Sequence, residues 1–592
     1  MTATTMRFST GTASALPAAR ALLGWGSFLS FFACWTGTVP AVRGQHSDYQ
    51  PHYLVGLLHL PNSNVPEIFQ GITSGTYLGQ GEYDNWIAHP DVPFSDVPYV
   101  GFSDIEPMYV DADTDPPTGG TSGMAGGTMA LGRFFCLSDN GYGGSDNSGD
   151  YPLNIARVRL ETPFAYGHGG SSSLFKSRYT EAELMGAAYL HDPNGYIRWE
   201  NGADIRVTYK VPDATWSGLA ADRVLTGRDF DPEGLAVLSN GCAIVGDELA
   251  TAIFAANPTT GEVLSPFVRT PDIDAGSGQF IPGKFLSTVS DKVHCDVGAL
   301  EEDADQCLQV TSDVVVANGY REHHKSGGYE GFTALPDGSI AAFLEKAVDD
   351  EPGVRVYDVD PGTCSPDDPP AFRSFRGFYR FEENASAIAD VSAVPGTSRY
   401  VLVTERNGYP GLLNGAEFPQ YGEGHQFPSP ALPANKVCLV DLTDLDDDLV
   451  MRNKRCILNL HAVSDPWDVD GDGISRFGLT AVTTEQLAVL DDYCVVVGTD
   501  TNYPWTNQLG LNLTELPYGE ETMDARFMIV CFDEPIFAAD ILEDYMSGEG
   551  AAGTVENAAS LSKAEESAAS ASFSLTMFRA VVLGVVVVSS LC

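Results

Sequence analysis

Basic side chains are scarce in this sequence, and their scarcity excludes several classes of partner. The 592 residues contain 33 Lys and Arg against 80 Asp and Glu, which gives a formal net charge of −47. Nucleic acids and anionic membrane surfaces are bound through basic patches, so neither is an expected partner of the folded part. Hydrophobic residues make up 43% of the chain and aromatic residues 10%, which is too much for global disorder. The acidic charge therefore belongs to a folded body that stays soluble or binds cations.

Several catalytic and metal-binding signatures are also missing. No GxSxG segment is present, so the nucleophile elbow of an α/β-hydrolase is not expected. No P-loop occurs, and no GxGxxG lies between a strand-like and a helix-like segment, which argues against the common nucleotide-binding folds. No CxxC pair occurs either, so the cysteines do not predict a zinc cluster.

The cysteines favour disulfides instead. Of the 11 cysteines, Cys34 and Cys592 lie in terminal segments, and the remaining odd number leaves at least one thiol free or paired outside the chain. Sequons at Asn384-Ala385-Ser386 and Asn512-Leu513-Thr514 fit a glycosylated ectodomain. Proximity and strand matching predict the bridges Cys295–Cys307, Cys438–Cys456 and Cys494–Cys531.

Both ends carry apolar segments typical of targeting signals. Arg20, the apolar stretch Ala21–Trp35 and the small residues after it predict a secretory signal peptide over residues 1–44. Residues 536–572 are interpreted as a low-complexity linker and residues 573–592 as a hydrophobic tail. Small residues around Asn557, a polar spacer and this tail fit a GPI-attachment signal, and a transmembrane anchor is the alternative. The protein is expected to be extracellular or at the cell surface, with membrane attachment through the C-terminal tail.

The region between these ends, residues 49–535, is predicted to be all-β. Short strand-like runs alternate with turns rich in Gly, Pro, Asp and Asn, and long loop insertions are expected around residues 111–127, 138–150 and 409–429. Only two segments have the composition of a helix, Glu181–Leu190 and Thr484–Leu490.

One hairpin pattern recurs along this region. Glu233–Glu248 (EGLAVLSNGCAIVGDE) reads as strand, tight turn and strand, with acids at both ends. Antiparallel strands joined by a short turn bring their outer ends together, so Glu233 is expected beside Asp247 and Glu248. The recurrence predicts a β-propeller of roughly six or seven blades, with a sandwich or two β domains as the alternative. The further copies are Glu330–Glu345, Asp390–Glu405, Glu485–Asp500 and a looser one at Ser122–Asp139.

These hairpins resemble the phytase-like family, described as having the esterase-like activity of phytase. The resemblance extends from about Gly123 to Asp533 and implies a propeller-like fold and a hydrolase activity. The segments that carry it are Asp231-Pro232-Glu233-Gly234-Leu235-Ala236 with Asp247-Glu248, Arg321 ahead of Gly328-Tyr329-Glu330-Gly331, Pro336-Asp337-Gly338 with Glu345, Ser138–Gly141, Thr404-Glu405-Arg406 and Thr499–Pro504.

If the hairpins are the innermost strands of their blades, their acidic ends meet at one mouth of the central channel. Unpaired carboxylates at this density repel one another, so cations are recruited or pKa values rise. Ligands that are all carboxylate or carbonyl oxygens favour Ca²⁺ over Zn²⁺. Asp390 and Glu485 would share this rim. The predicted calcium ligands are Asp139, Asp247, Glu248, Glu345, Glu405 and Asp500.

A second calcium hypothesis concerns a loop late in the chain. Asp468, Asp470 and Asp472 form the Asp-x-Asp-x-Asp-Gly start of an EF-hand-type loop. Leu479 stands where the bidentate Glu of an EF-hand is expected, so the loop is not an EF-hand. It either binds Ca²⁺ with another residue completing the shell or is a solvated acidic turn.

The predicted chemistry is calcium-assisted hydrolysis of a phosphate or other ester at this mouth. Glu233 and Glu330 are the candidate catalytic carboxylates, and Arg321 and Arg406 are candidate phosphate clamps because Arg makes bidentate contacts to phosphate. His323-His324 is either an acid/base pair or an exposed loop segment. The simpler interpretation of the acids is that they cap turns or pair with neighbouring basic residues such as Lys346 and Arg406. The competing function is a non-catalytic, calcium-dependent surface propeller that binds a ligand.

Overall fold

The computed structural model describes a ring of β-sheets that begins and ends in the same blade. The first strand, β1 (His52–Leu60), belongs to the last blade and is described with it. The residues that the structure describes are 52–60, 99, 101–108, 132–139, 151–160, 180–197, 224–227, 230–248, 251–288, 320–323, 327–407, 434–469, 475–477, 483–500 and 525–547.

The first four blades are four-stranded sheets that follow one another along the chain. Blade 1 contains β2 (Asp104–Pro107), β3 (Arg133–Leu137), β4 (Asn154–Arg159) and β6 (Glu183–Tyr189), with the short β5 (Thr180–Glu181) before β6. Blade 2 contains β7 (Pro232–Val237), β8 (Ala243–Asp247), β9 (Ala252–Ala256) and β10 (Val268–Arg269). A three-stranded inserted sheet follows, β11 (Pro271–Asp274), β12 (Gln279–Thr288) and β13 (Tyr320–His323). Blade 3 contains β14 (Tyr329–Ala334), β15 (Ile340–Leu344), β16 (Val354–Asp360) and β17 (Ala371–Tyr379), and blade 4 contains β18 (Ala387–Ala393), β19 (Tyr400–Arg406), β20 (Asn435–Asp441) and β21 (Lys454–Asn459).

Blade 5 joins the two ends of the domain. Strands β24 (Thr483–Val489), β25 (Cys494–Asp500) and β26 (Ala525–Phe532) pair in order, and β1 pairs antiparallel with β26. The short strands β22 (Val463–Ser464) and β23 (Arg476–Phe477) extend this sheet beyond β1, and β5 also pairs with β1. Because the N-terminal strand completes the C-terminal blade, the ring is closed by backbone hydrogen bonds rather than by side-chain packing alone.

The described residues therefore form five blades, so the propeller prediction is confirmed and the predicted number of six or seven is wrong. The innermost strands β2, β7, β14, β18 and β24 are neighbours in that order around the ring, and β24 returns to β2. The predicted number of blades was too high because it was based on chain length. The inserted sheet and the long connections between strands add residues without adding a blade.

Each pair of neighbouring blades encloses its own hydrophobic core. Between blades 4 and 5, for example, Leu402 and Leu439 face Leu487 and Val495, all of them buried. The other four interfaces have equivalent clusters. Since both faces of each sheet are covered, strands such as β8, β9 and β15 are buried along their whole length rather than on alternate residues.

Side chains link the inner strands where no backbone ladder joins them. The Leu235 N–H of β7 donates to Asp104 of β2 at 2.5 Å, and the Leu487 N–H of β24 donates to Asp390 of β18 at 2.5 Å. The Ala393 N–H likewise donates to Thr333 Oγ1 at 2.8 Å. These bonds satisfy buried backbone donors at the inner edges of the blades, where an unmet donor would be costly.

Both helix predictions are wrong. Glu181–Leu190 contains the outer strand β6, in which Gly186 has a φ of +138°, and Thr484–Leu490 is the buried inner strand β24. Short apolar runs of this kind fit a helix or a buried strand equally well by pattern, and sheet pairing decided the outcome. The hairpin predicted at Ser122–Asp139 is also wrong in its first strand. Its second strand, β3, pairs with β2 at Asp104–Pro107 and not with a strand near Gly123.

A helix, α1 (Ala539–Ser547), follows the last strand within the segment assigned to the linker. Leu542 and Tyr545 are buried in the core between blades 4 and 5, and the Arg455 guanidinium lies 3.9 Å from the centre of the Tyr545 ring. Among the described residues, no helix has the length and apolar character to cross a membrane. The predicted signal peptide and hydrophobic tail lie outside the described residues.

Disulfides were predicted in part. Cys438–Cys456 and Cys494–Cys531 are confirmed as bridges between adjacent strands, whereas Cys295–Cys307 lies outside the described residues. The bridge Cys242–Cys364 joins blade 2 to blade 3 across a sequence separation of 122, which no local pattern indicates. Cys136 is a buried free thiol, in agreement with the odd number of cysteines.

Closure of the ring through β1 makes a stability prediction. Leu58 of β1 is fully buried between blades 5 and 1, so Leu58→Ala is expected to lower the free energy of unfolding by about 2–5 kcal/mol. The matched control is Leu184→Ala in β6, where the side chain is only half-buried. Urea denaturation of both variants measures the difference. Equal losses of unfolding free energy in the two variants would show that β1 stabilises the fold no more than an outer strand does.

Candidate functional site

Four inner strands begin with a β-bulge, and in three of them the bulge residue is a glutamate. The pairing register shifts by one residue at Glu233, Glu330 and Glu485, and at Ala389 in blade 4. A bulge leaves its extra residue unpaired and redirects its side chain. The same device at three positions places three glutamates at one edge of the ring. Asp390 lies one residue beyond its bulge, so it is not the equivalent of Glu233, and it binds the backbone of β24 instead.

Five buried carboxylates form two overlapping groups at this mouth. Oxygen atoms of Asp231, Glu233 and Glu248 lie within 4.8 Å of one another, and so do those of Glu248, Glu330 and Glu345. Glu248 belongs to both groups. All five side chains are buried, so the two groups make up one acidic cluster shared by blades 2 and 3, which we call the rim cluster.

The backbone around the rim cluster holds its members in place. Asp247 Oδ1 accepts the Asp231 N–H at 2.7 Å, and the Glu248 N–H donates to the Asp231 carbonyl at 2.9 Å. The Glu345 N–H donates to the Gly328 carbonyl at 2.7 Å. A Cβ on Gly328 would stand 2.0 Å from the Glu248 carbonyl oxygen, so only glycine lets blade 3 approach blade 2 this closely. The hairpin thus brings Glu233 close to Glu248, as predicted, and pairs Asp247 with Pro232, the residue before Glu233.

Two basic residues border one half of the rim cluster. Arg406 Nη2 lies 2.7 Å from Glu330, 3.3 Å from Glu345 and 3.4 Å from Glu485. Lys346 Nζ lies 2.6 Å from Glu345. No basic side chain makes an ion pair with Asp231 or Glu233 in the part of the chain that the structure describes, whereas the charge of Lys346 opposes the rise in the pKa of Glu248.

The crowding of these charges shifts the pKa values in the direction that repulsion requires. Burial, followed by the charges of Asp231, Glu330 and Glu485, raises the pKa of Glu233 well above its usual range. Burial and the charge of Glu345 do the same for Glu248. Burial by itself would lower the pKa of Arg406, but the surrounding glutamates raise it, so the guanidinium stays charged.

Two members of this region retain unmet hydrogen-bonding capacity. Asp231 Oδ1 is buried and has no hydrogen-bond partner in the described structure. The Nε–H of Arg406 is buried and equally unpartnered there. Buried polar atoms are rarely left without partners, so each of these two atoms has capacity for one further hydrogen bond or ligand contact.

Glu405 lies apart from the rim cluster. Its carboxylate accepts the Tyr379 hydroxyl at 2.5 Å and the Glu382 N–H at 3.1 Å, and Lys454 Nζ lies 2.9 Å away. The oxygens of Glu405 also lie near Cys438 and Cys456, but these sulfurs form a disulfide and are not metal ligands. The structure thus surrounds Glu405 with donors that hold it within blade 4.

The other predicted ligands are dispersed. Asp139 follows β3 and Asp500 ends β25, and both charges, after burial, raise the pKa of Tyr151. They therefore lie together near blade 1 rather than in the rim cluster. Asp468 has a φ of +56° in the turn after Trp467, whereas Asp470 and Asp472 lie outside the described residues.

Arg321 lies in β13 of the inserted sheet, with its charge already paired. Its Nη1 lies 2.9 Å from Glu351, and its Nη2 donates to the Asp349 carbonyl at 3.0 Å. Buried Arg355 binds the same Glu351 together with Asp272, which ties the inserted sheet to blade 3. The role of Arg321 as a phosphate clamp stays a prediction. His324 lies outside the described residues.

Sequence reasoning omitted Asp231 and Lys346 from the predicted site. Asp231 precedes Glu233 by two positions in the motif, and Lys346 follows Glu345 directly. Their positions in the motifs were visible, but the direction of their side chains was not. Glu106 and Asp104 of β2 were also missed because no hairpin was recognised there, and burial raises the pKa of both carboxyls.

Three solved structures that resemble this chain do so only distantly. The allergen Mala s 1 of Malassezia sympodialis is 8% identical, with 67% of this chain and 73% of that chain covered and a TM-score of 0.26. The PQQ-bound aldose sugar dehydrogenase of Streptomyces coelicolor is 12% identical over 51% and 93% of the two chains, with a TM-score of 0.19. A structure from the GH130 family of mannoside phosphorylases, which contains glycoside hydrolases that target β-1,2 mannosidic linkages in Candida mannan, is 9% identical over 68% and 80%, with a TM-score of 0.25. At these scores the likenesses support no conclusion about this chain.

The sequence matches a known family model over most of its folded part. No curated protein matches the sequence. The phytase-like model, described as the esterase-like activity of phytase, matches residues 116–503, which is more than half of the chain. The matched region contains blades 2 to 4 and all five members of the rim cluster. The chain belongs to the phytase-like family.

Proposed function

We propose that this protein is a secreted or cell-surface hydrolase of phosphate or other esters that works with calcium held at the channel mouth. The observation that carries the proposal is the rim cluster, in which buried carboxylates without enough basic partners stand beside a guanidinium with an unused N–H. Membership of the phytase-like family supports a hydrolase, and the three disulfides among the described residues are typical of extracellular proteins.

The half of the rim cluster on blade 2 fits a divalent cation. Asp231, Glu233 and Glu248 offer only carboxylate oxygens, which calcium prefers, and Asp231 Oδ1 has no other described partner. When bound there, Ca²⁺ would polarise an ester oxygen and lower the pKa of a coordinated water. The ion would also relieve the repulsion that raises the pKa of Glu233 and Glu248.

The half on blade 3 fits the anionic part of a substrate. Arg406 shares a single nitrogen, Nη2, among Glu330, Glu345 and Glu485, so its Nε–H remains for an incoming oxygen. Burial raises the pKa of Glu330 although Arg406 opposes the shift. A glutamate with a raised pKa beside the reacting ester is suited to take up or return a proton near neutral pH.

The same burial favours a second candidate function. All five carboxylates are buried, and a cation held this deeply can stabilise the ring without meeting a substrate. The protein would then be a calcium-dependent propeller that binds a surface ligand. In both cases the signal peptide of residues 1–44 and the tail of residues 573–592 would place it in the secretory pathway, attached to the membrane by the tail.

Calcium is expected to raise the melting temperature of the purified ectodomain, and the double variant Asp231→Asn/Glu248→Gln is expected to abolish that rise. The variant removes two oxygens from the shared cation site but keeps the side-chain volumes. The control, Asp367→Asn, removes an exposed carboxylate in the connection between β16 and β17 and should respond to calcium as the unaltered protein does. A calcium response that survives in the double variant would contradict the rim site.

Turnover separates the two functions. The ectodomain would be assayed on p-nitrophenyl phosphate and p-nitrophenyl butyrate with calcium and with chelator. Hydrolysis that needs calcium supports the enzyme. If neither condition gives turnover but calcium still raises the melting temperature, the proposed hydrolase function is contradicted. The calcium-dependent binding function is then supported.

The raised carboxyl pKa values predict how calcium stabilisation depends on pH. Unfolded glutamates release protons near the ordinary value of 4.5, whereas folded Glu233 and Glu248 keep theirs to higher pH. The calcium-free protein is thus expected to lose stability as the pH rises above about 4.5, because the folded state binds more protons. Calcium stabilisation should grow over the same range, since the ion binds only ionised carboxylates. Melting temperatures across this range, with calcium and with chelator, test the trend; a calcium effect that is constant with pH would contradict it.

Arg406→Lys is expected to weaken substrate binding while calcium stabilisation persists. Lysine keeps the charge beside Glu330 but loses the planar donor set, which costs about 1.5–3 kcal/mol for a charged hydrogen bond, or roughly 10–100-fold in kcat/KM. Arg399→Lys is the matched control, because Arg399 pairs with Asp441 and Glu543 away from the rim cluster. Equal values of kcat/KM for the two variants would show that Arg406 does not bind the substrate.

A further inference from the structure

The sequon Asn384-Ala385-Ser386 lies in the connection between blades 3 and 4, beside the rim cluster. The connection follows β17 and enters β18, the inner strand of blade 4. Asn384 and Ser386 are both exposed. The other sequon, at Asn512, lies outside the described residues.

The conformation of this turn presents the Asn384 side chain to solvent. Asn384 has a φ of +71°, a left-handed conformation that asparagine tolerates better than most residues. Its backbone carbonyl accepts Asn407 Nδ2 at 2.9 Å, which fixes the turn without using the Asn384 amide. Within the described structure, neither the Asn384 side-chain amide nor the Ser386 hydroxyl is engaged in a hydrogen bond.

Backbone hydrogen bonds tie this turn to the strands that carry the site. The Ser386 N–H donates to the Arg406 carbonyl at 2.9 Å, and the Ile388 N–H donates to the Glu345 carbonyl at 3.0 Å. The Glu382 N–H donates to the Glu405 carboxylate. Asn384 is thus held one short turn from Arg406, whose side chain reaches the rim cluster.

We propose that Asn384 carries an N-linked oligosaccharide that stands at the rim of the channel mouth and limits the size of molecules that reach it. In the secretory pathway, a lipid pyrophosphate-linked oligosaccharide would be the donor. The bond between its first sugar and the pyrophosphate breaks, a bond from that sugar carbon to Asn384 Nδ2 forms, and the amide loses one proton. The glycan is bulky and hydrated, so it narrows access from solvent without touching the buried carboxylates.

The shielding role rests on the cation site and the substrate site of the proposed function, whereas occupancy of Asn384 is measured independently of both. The full chain would be expressed in a secreting eukaryotic cell and digested with peptide N-glycosidase, which converts each occupied Asn to Asp for mass spectrometry. We expect conversion at Asn384 in the unaltered protein and in Ser386→Thr, and none in Ser386→Ala. Ser386→Ala is preferred to a change of Asn384, because asparagine keeps the left-handed turn. An unmodified Asn384 in the secreted unaltered protein would overturn the proposal, whatever the state of Asn512.

Access to the mouth is then compared between Ser386→Ala and Ser386→Thr. The protein is loaded with Tb³⁺, which is then removed either by a small chelator or by the same chelator coupled to dextran. The two removal rates report how easily each chelator reaches the mouth, and they do not depend on turnover. We expect the dextran-coupled chelator to act several-fold faster on Ser386→Ala, with the small chelator unchanged. The same comparison applies to kcat/KM for a small ester and the ester attached to a polymer. Equal responses of the small and bulky probes would overturn the shielding role, whereas loss of turnover alone would count against the hydrolase and not against the glycan.

Discussion

Mutual repulsion among buried carboxylates is the constraint around which the mouth of this propeller is built. Asp231, Glu233, Glu248, Glu330 and Glu345 form two groups whose oxygens lie within 4.8 Å of one another, and Arg406 and Lys346 form ion pairs with the glutamates of blade 3. Burying uncompensated charge costs several kcal/mol, so such a cluster persists only if protons or metal ions compensate it. The raised pKa values of Glu233, Glu248 and Glu330 express this same cost.

The ring tolerates this concentration because its stability comes from elsewhere. Each interface between blades has its own buried apolar cluster, and β1 closes the ring by pairing with β26. Disulfides reinforce blades 4 and 5 and join blade 2 to blade 3. The acids are thereby held together by a framework that does not depend on their charges.

A single backbone device makes the site out of repeated strands. In blades 2, 3 and 5 the bulge residue is a glutamate, and in blade 4 it is Ala389. The asymmetry leaves Asp231, Glu233 and Glu248 grouped on blade 2 and places Arg406 and Lys346 beside the glutamates of blade 3. Because the acid of blade 4 is displaced by one position, Asp390 stabilises the neighbouring inner strand rather than the mouth.

The sequence by itself determined the all-β class, the propeller, two of the disulfides and the meeting of acids at one edge, because each follows from local patterns: alternating runs, turn residues and the length of a hairpin. Only the tertiary structure decided the number of blades, the strand identity of Glu181–Leu190, the bridge Cys242–Cys364 and the membership of the rim cluster. Those features depend on which segments pair across long connections and on where a one-residue bulge turns a side chain. Glu405 shows the difference: its place at the end of a hairpin was visible in the sequence, but its partners Tyr379 and Lys454 were not.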